Sequence, residues 1–129
     1  MVIHSEANGD LDKMIADLKA SGIKTGIALL QPTKPEDAED LIKSADHCLI
    51  FAGSLGSYGG QFDSTQLSKI REVRAINPDI EISWDGGINH DNIRQVAGSG
   101  VDVINSGGYI LKAENPQKAY DMLVKIANR

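Results

Sequence analysis

Three clusters of glycine each follow a short apolar segment, and one of them also carries a carboxylate. The clusters occupy residues 53–61, 84–88 and 105–108. Where glycines follow a buried strand, backbone N–H groups can approach an anion, and the N-terminus of the next helix adds a favourable dipole. One such cluster alone is more often a tight turn that needs positive φ. Three in series favour a phosphate-binding site.

Asp85 is the carboxylate in the second cluster. It follows the apolar segment at 80–84 and directly precedes two glycines. In that place an aspartate can act as a general base or as a metal ligand. It can equally well cap the following turn. The spacing alone leaves both interpretations open.

The elements that position these residues alternate regularly along the chain. Short apolar segments typical of buried parallel strands begin 21 to 32 residues apart, the spacing of βα units and not of hairpins. Helical periodicity and end signals fill the intervals. The predicted strands are 2–3, 26–30, 48–52, 80–84 and 101–104, and the predicted helices are 11–18, 35–42, 67–76, 90–97 and 116–128.

Composition excludes several classes of protein. The chain has 129 residues with 13 Lys+Arg against 18 Asp+Glu, a net charge of −5 that argues against sequence-independent DNA binding. No apolar run approaches the roughly 20 residues that span a bilayer, and the N-terminus lacks the pattern of a secretory signal. One cysteine, Cys48, gives no disulfide framework and fits a reducing cytoplasm. We therefore expect one cytoplasmic domain over residues 1–129, with neither nucleic-acid nor membrane partners.

Two architectures fit five βα repeats. A doubly wound, five-stranded parallel sheet is complete at this length, and the alternation alone slightly favours it. A (β/α)₈ TIM barrel needs around 250 residues, so this chain supplies little more than half of one. The glycine clusters favour the barrel, because loops late in that fold often bind phosphate. The fold class expected is α/β, a partial (β/α)₈ barrel of about five βα units with parallel strands.

Several motifs together resemble the ribulose-phosphate 3-epimerase family. They occur in the family's order and spacing and cover essentially the whole chain. What they match is the family's C-terminal portion, from the fourth strand to the eighth helix. The motifs are HSEA (4–7), GIALLQPTKP (26–35), YGGQF (58–62), WDGGIN (84–89) and NSGGYI (105–110).

The resemblance implies an isomerase of carbohydrate metabolism, in the pentose phosphate pathway, that interconverts ribulose 5-phosphate and xylulose 5-phosphate. In the family two aspartates move the C3 proton, and a divalent metal of the Zn, Fe or Mn class stabilises the enediolate between the two steps. Asp85 matches the second aspartate, as acid/base and metal ligand. The matching substrate-phosphate loops carry Gly59, Gly60, Gly86, Gly87, Gly107 and Gly108.

Departures from the family limit this expectation. The other catalytic aspartate and two metal-binding histidines belong to strands that this chain lacks, and we expect His4, His47 and His90 to be structural or solvent-facing. Little or no turnover is therefore expected from a monomer, and the alternative is a non-catalytic sugar-phosphate-binding half barrel. Hexulose-phosphate synthase relatives and thiamine-phosphate synthase are less favoured. At the last loop Gly108 replaces a common serine.

Two explanations of the short chain stay open. Half a barrel exposes strand edges and apolar side chains, so we expect a homodimer or other oligomer. The chain can also be a fragment of a longer reading frame, since Val2 begins in mid-strand.

Four other residues carry expectations of their own. Trp84 is expected to pack in the core, Cys48 to be an inert thiol, and Tyr58 to cover the phosphate loop. Glu6 is either an orienting hydrogen-bond acceptor or solvated.

Overall fold

The fold is a single sheet of five parallel strands, seen in a computed structural model that describes residues 1–53 and 60–128. Neighbouring strands pair in the order β1-β2-β3-β4-β5, which is also their order along the chain. The strands are β1 (Val2–His4), β2 (Gly26–Leu29), β3 (His47–Phe51), β4 (Glu81–Asp85) and β5 (Val103–Asn105).

Helices connect and follow the strands. Asp10 caps the first helix by accepting from the Lys13 N–H, and Asn115 caps the last by accepting from the Lys118 N–H. Single 3₁₀ turns at Pro35–Ala38 and Ser64–Leu67 lead into the second and third helices. The helices are α1 (Leu11–Ala20), α2 (Glu39–Ser44), α3 (Ser68–Ile76), α4 (Ile93–Ala97), α5 (Gly108–Leu111) and α6 (Pro116–Ala127).

The strand order decides between the two architectures. A doubly wound sheet reverses its strand order at a switch point, whereas this order runs in one direction from edge to edge. Right-handed crossovers between successive parallel strands then place the helices on one face. The chain is thus a partial (β/α)₈ barrel, and the doubly wound alternative is wrong.

The two faces of the sheet differ in what they carry. Alternate strand residues, among them Ile50, Ile82 and Trp84, are fully buried in one core with helix residues such as Ile70 and Val96. The opposite face, which we call the inner face, corresponds to the interior of a barrel. By strand alternation it carries Ala28, His47, Leu49, Phe51, Ser83, Asp85 and Asn105.

Most element boundaries differ from the sequence expectation by a few residues, and one helix was not predicted. The last strand is Val103–Asn105 and not 101–104, since Val103, opposite Ser83, is the first residue that pairs in register with β4. The short helix α5 was not predicted, since glycines open it. His47 is the first residue of β3 instead of preceding it. Within the described residues, no helix is long and apolar enough to span a membrane.

Candidate active site

A large open cavity lies at the carboxyl ends of β4 and β5. Its volume is about 1340 Å³. Asp85 lines it together with five of the six glycines expected to bind phosphate; the sixth, Gly59, lies outside the described residues, as does Tyr58. These glycines are Gly60, Gly86, Gly87, Gly107 and Gly108. The structure therefore brings the separate glycine clusters and the carboxylate to one cavity, as the sequence predicted.

Asp85 is the last residue of β4 and is half-buried. Burial raises the pKa of its carboxyl group above the ordinary range. Its backbone carbonyl accepts from the Ala52 N–H at 2.7 Å, which ties the ends of β3 and β4 together. Within the described residues its side chain takes no hydrogen bond, so it does not cap the following turn there.

Gly86 and Gly87 are required by close backbone contacts. Their φ values are +130° and +68°. A Cβ on Gly86 would lie 2.4 Å from the Gly53 nitrogen, and one on Gly87 would lie 2.3 Å from the Phe62 nitrogen. Any side chain here would push the turn away from the segments that border it. Gly86 and Gly87 are thus needed for a tight turn with positive φ, and this turn also lines the cavity.

Two side chains hold this turn from below. Trp84 is fully buried, which confirms the packing role, and its Nε1 donates to the Gly86 carbonyl at 3.0 Å. Asn92 Nδ2 donates to the Gly87 carbonyl at 2.8 Å, while its Oδ1 accepts from the Asn89 N–H. Asn92 was missed from the sequence, although the Asn-x-x-Asn spacing after the glycines is a signal for such a local bond.

A second set of contacts braces the end of β2. Glu6 Oε1 accepts from the Leu30 N–H at 2.9 Å and from the Thr33 hydroxyl. Burial raises the pKa of Glu6, but these hydrogen bonds outweigh it, and the net shift is downward. Glu6 therefore accepts hydrogen bonds that fix the end of β2, but it remains exposed and its partners do not line the cavity, so an orienting role in the pocket is not shown.

Lys69 is a buried cation on the other side of the same segment. Its Nζ donates to the carbonyls of Leu30 and Gln31, each at 2.8 Å, and burial lowers its pKa. Gln31 Nε2 in turn donates to the Ala52 carbonyl at 2.8 Å. The brace thus reaches from β2 to the strand end that bonds Asp85. Sequence reasoning missed Lys69, because a lysine on a helix face is usually solvated.

The three histidines lie in three different settings. His47, at the amino end of β3, bonds Glu81 Oε1 through Nδ1 and the Ser83 hydroxyl through Nε2, both at 2.8 Å. The ring of His4 packs edge-on against Phe51. His90 is half exposed and bonds the Tyr109 hydroxyl at 3.2 Å. None of the three bonds Asp85.

The described residues do not fit a divalent metal site. No group of three or more His, Cys, Asp or Glu side chains within residues 1–53 and 60–128 is placed to hold an ion. Asp85 is a carboxylate at the cavity without such companions. The metal implied by the resemblance therefore has no set of three such ligands in this part of the chain.

Cys48 and Ser106 are both polar side-chain positions in buried surroundings, and they differ in their relation to the cavity. Cys48 is buried and its thiol pKa is raised by burial to about 12, so it is unreactive as expected. Ser106 lines the cavity, and within the described residues its buried Oγ has no hydrogen-bond partner. Ser106 thus provides a hydroxyl two residues before Gly108, the position at which the family commonly has a serine.

Comparison with known proteins decides the family. The model of the ribulose-phosphate 3 epimerase family matches residues 1–111. The chain belongs to this family. Ribulose-phosphate 3-epimerase of Mycobacterium tuberculosis (strain H37Rv) is 32% identical over 123 residues, covering 92% of this chain and 54% of that protein. The same enzyme of Helicobacter pylori (strain J99) is 30% identical, covering 96% and 59%. The chain spans about half the length of these curated relatives.

Solved structures show the same fold at low sequence identity. A KGPDC from Streptococcus mutans superposes with a TM-score of 0.73 at 16% identity, covering 100% of this chain and 60% of that one. A 3-hexulose-6-phosphate synthase from Salmonella typhimurium gives 0.74 at 15% identity, covering 98% and 60%. These likenesses concern the fold and not the reaction.

Proposed function

We propose that this family member acts on a ketose 5-phosphate, with ribulose 5-phosphate and xylulose 5-phosphate as the substrate pair, and that Asp85 exchanges the C3 proton. The observation that carries the proposal is that Asp85 lines the same cavity as the glycine loops. A carboxylate whose pKa is raised toward neutrality is a better base for a weak carbon acid. Gly59, Gly60, Gly86, Gly87, Gly107 and Gly108 are proposed to bind the phosphate, in a cytoplasmic enzyme.

A single carboxylate can exchange the C3 proton, whereas inversion at C3 needs groups on both faces of the sugar. The Asp85 carboxylate can take the C3 proton, which is acidified by the C2 carbonyl, and leave an enediolate. If Asp85 also returns a proton, it arrives on the face from which it left, and the sugar keeps its configuration. Inversion needs a second acid on the opposite face. Among the described residues that line the cavity, Asp85 is the only carboxylate residue, so we propose that inversion depends on an acid other than these.

This distinction gives a sharp experiment. Ribulose 5-phosphate is incubated with the chain in D₂O, and NMR follows both deuterium at C3 and the appearance of xylulose 5-phosphate. The expected result is incorporation of deuterium that outpaces inversion. Asp85→Asn is the matched control and should abolish incorporation. If the Asp85→Asn variant still incorporates deuterium at C3, then Asp85 is not the group that exchanges the proton.

A specific observation favours a second candidate, binding without turnover. The glycine cavity is formed, whereas the described residues hold neither a metal ligand set nor a second carboxylate beside Asp85. In this case titration with ribulose 5-phosphate in a calorimeter gives heat, and no deuterium enters C3. Absence of heat at millimolar sugar phosphate would contradict both candidates.

A further inference from the structure

Gln31 lies at the carboxyl end of the sheet, two residues after β2 ends. Its side chain crosses from this strand end to the next strand, where Nε2 donates to the Ala52 carbonyl at 2.8 Å. Gln31 is exposed, whereas Ala52 is fully buried. An exposed side chain loses conformational freedom when it bonds a fixed main-chain oxygen, so the bond is favoured only where the backbone that carries the side chain is itself held.

Three hydrogen bonds hold the main chain at Leu30 and Gln31. Lys69 Nζ donates to the carbonyls of both residues, each at 2.8 Å, and the Leu30 N–H donates to Glu6 on the other side. Lys69 is only 7% exposed, and a buried ammonium group needs such acceptors. Pro32 follows and disfavours a helical conformation of Gln31. The side chain of Gln31 thus starts from a fixed backbone.

Ala52 connects this bond to Asp85. The Ala52 N–H donates to the Asp85 carbonyl at 2.7 Å. Ala52 also borders the turn after Asp85: a Cβ on Gly86 would lie 2.6 Å from the Ala52 carbonyl carbon and 2.4 Å from the Gly53 nitrogen. The backbone at the end of β3 is therefore in contact with the backbone of the turn. A shift of Ala52 must move Asp85, Gly86 or both.

The carboxylate of Asp85 depends on its backbone for its position, because within the described residues no hydrogen bond fixes the side chain. A general base must lie within about 3 Å of the proton that it takes, and a displacement of about 1 Å can reduce a rate about 100-fold. We propose that Gln31 is a positioning residue for Asp85, its amide holding the Ala52 peptide against the end of β4. The consequence for the rate rests on the proposed function; the geometric link does not.

Three variants test the effect on the rate. Gln31→Met keeps nearly the same side-chain length without a donor, Gln31→Lys restores a long donor, and Gln95→Met, on an exposed position of α4, is the matched control. NMR in D₂O measures deuterium incorporation at C3 of saturating ribulose 5-phosphate. Gln31→Met should reduce the rate about 10-fold, less than a full 1 Å displacement would. Gln31→Lys should recover most of the rate, and Gln95→Met should match the wild type.

Amide hydrogen exchange without sugar gives a second measurement that does not depend on turnover. In Gln31→Met the Ala52 N–H should exchange about 10-fold faster, because the peptide loses one of its hydrogen bonds. The amides of α6 should exchange as in the wild type. The backbone amide resonances of Asp85 and Gly86 should also shift in this variant and not in Gln95→Met.

Four outcomes would overturn the positioning role. The first is a faster Ala52 amide with an unchanged rate at C3, and the second is a loss of rate that Gln31→Lys does not restore. The third is equal acceleration of the amides of Ala52 and α6, since overall stability alone would then have changed. The fourth is a set of Asp85 and Gly86 resonances that do not move in Gln31→Met. If the wild type itself exchanges no proton at C3, the proposed function fails, and the amide measurements alone decide the positioning role.

Discussion

An aspartate lies at each end of β4, Asp102 beside the amino end and Asp85 at the carboxyl end, and the two carboxylates have different hydrogen-bond partners. At the amino end, Asp102 Oδ2 accepts from the Ile82 N–H and from Arg74 Nη2, both at 2.8 Å, and His47 is bonded on both ring nitrogens. At the carboxyl end, Asp85 faces a cavity with no such donors among the described residues. Backbone and arginine donors lower the pKa of Asp102, whereas burial raises the pKa of Asp85. Donors of the fold stabilise the ionised Asp102, whereas Asp85 takes no hydrogen bond from the described residues and faces the cavity.

The largest expected effect is on catalysis at the carboxyl end. Asp85→Asn should reduce deuterium incorporation at C3 by at least about 100-fold, the typical contribution of a general base. Asp102→Asn should leave the rate nearly unchanged, because Asp102 lies at the other end of the strand. NMR in D₂O measures both. Equal losses in the two variants would show that folding and not chemistry was disturbed.

The next largest effect is on stability. Gly87→Ala should reduce the free energy of unfolding by more than about 3 kcal/mol, since a Cβ would meet backbone atoms and the residue has positive φ. Gly107 is the matched control, because it also lines the cavity but has negative φ and open space around it. Gly107→Ala should change stability by less than about 0.5 kcal/mol. Urea unfolding of both variants tests the contrast, and similar values for the two would contradict it.

The sequence predicted the alternation of elements and the convergence of the glycine loops, because both depend on local patterns. Apolar periodicity placed the strands to within a few residues, and the position of Asp85 before two glycines made it a candidate that the structure places at the cavity. Lys69 was not predictable in this way, because it bonds the carbonyls of Leu30 and Gln31, which are remote in the sequence and are brought to it by tertiary packing. Asn92 bonds the nearby Gly87 carbonyl, and its Asn-x-x-Asn spacing is a local signal of that bond that was overlooked.

Because the pKa of Asp102 is lowered and that of Asp85 is raised, their contributions to the free energy of unfolding should change with pH in opposite directions. The pKa of Asp102 is lowered in the folded state, so its stabilisation is present above the ordinary pKa of aspartate and is lost as pH falls through the lower value. Asp102→Asn should therefore reduce stability at neutral pH by about 0.5–1 kcal/mol after allowance for solvent screening, and this difference should disappear in acid. Thermal unfolding at a series of pH values measures it; a difference independent of pH would show that the charge is not responsible.

The sign reverses for Asp85, whose pKa is raised on folding. Its relative stabilisation is complete below the ordinary pKa and is lost as pH rises through the higher value, where a half-buried charge must form. Asp85→Asn should thus stabilise the protein at neutral pH, by less than about 1 kcal/mol because solvent screens the carboxylate. The gain should vanish in acid. A loss of stability at neutral pH would mean that the ionised Asp85 has a stabilising partner.

The smallest expected effect concerns Ser106 at the cavity. Its Oγ is buried and lacks a partner within the described residues, so its hydroxyl can donate to a bound phosphate without breaking an existing bond. Ser106→Ala should weaken binding of ribulose 5-phosphate by about 5-fold, the effect of one hydrogen bond of ~1 kcal/mol. Ser83→Ala, which removes a hydroxyl already bonded to His47, should leave that affinity unchanged and reduce stability instead. Calorimetric titration of both variants separates a polar group reserved for a ligand from one used by the fold. If Ser106→Ala costs stability and not affinity, then Ser106 serves the fold as Ser83 does, and the contrast between the two ends of β4 rests on Asp85 alone.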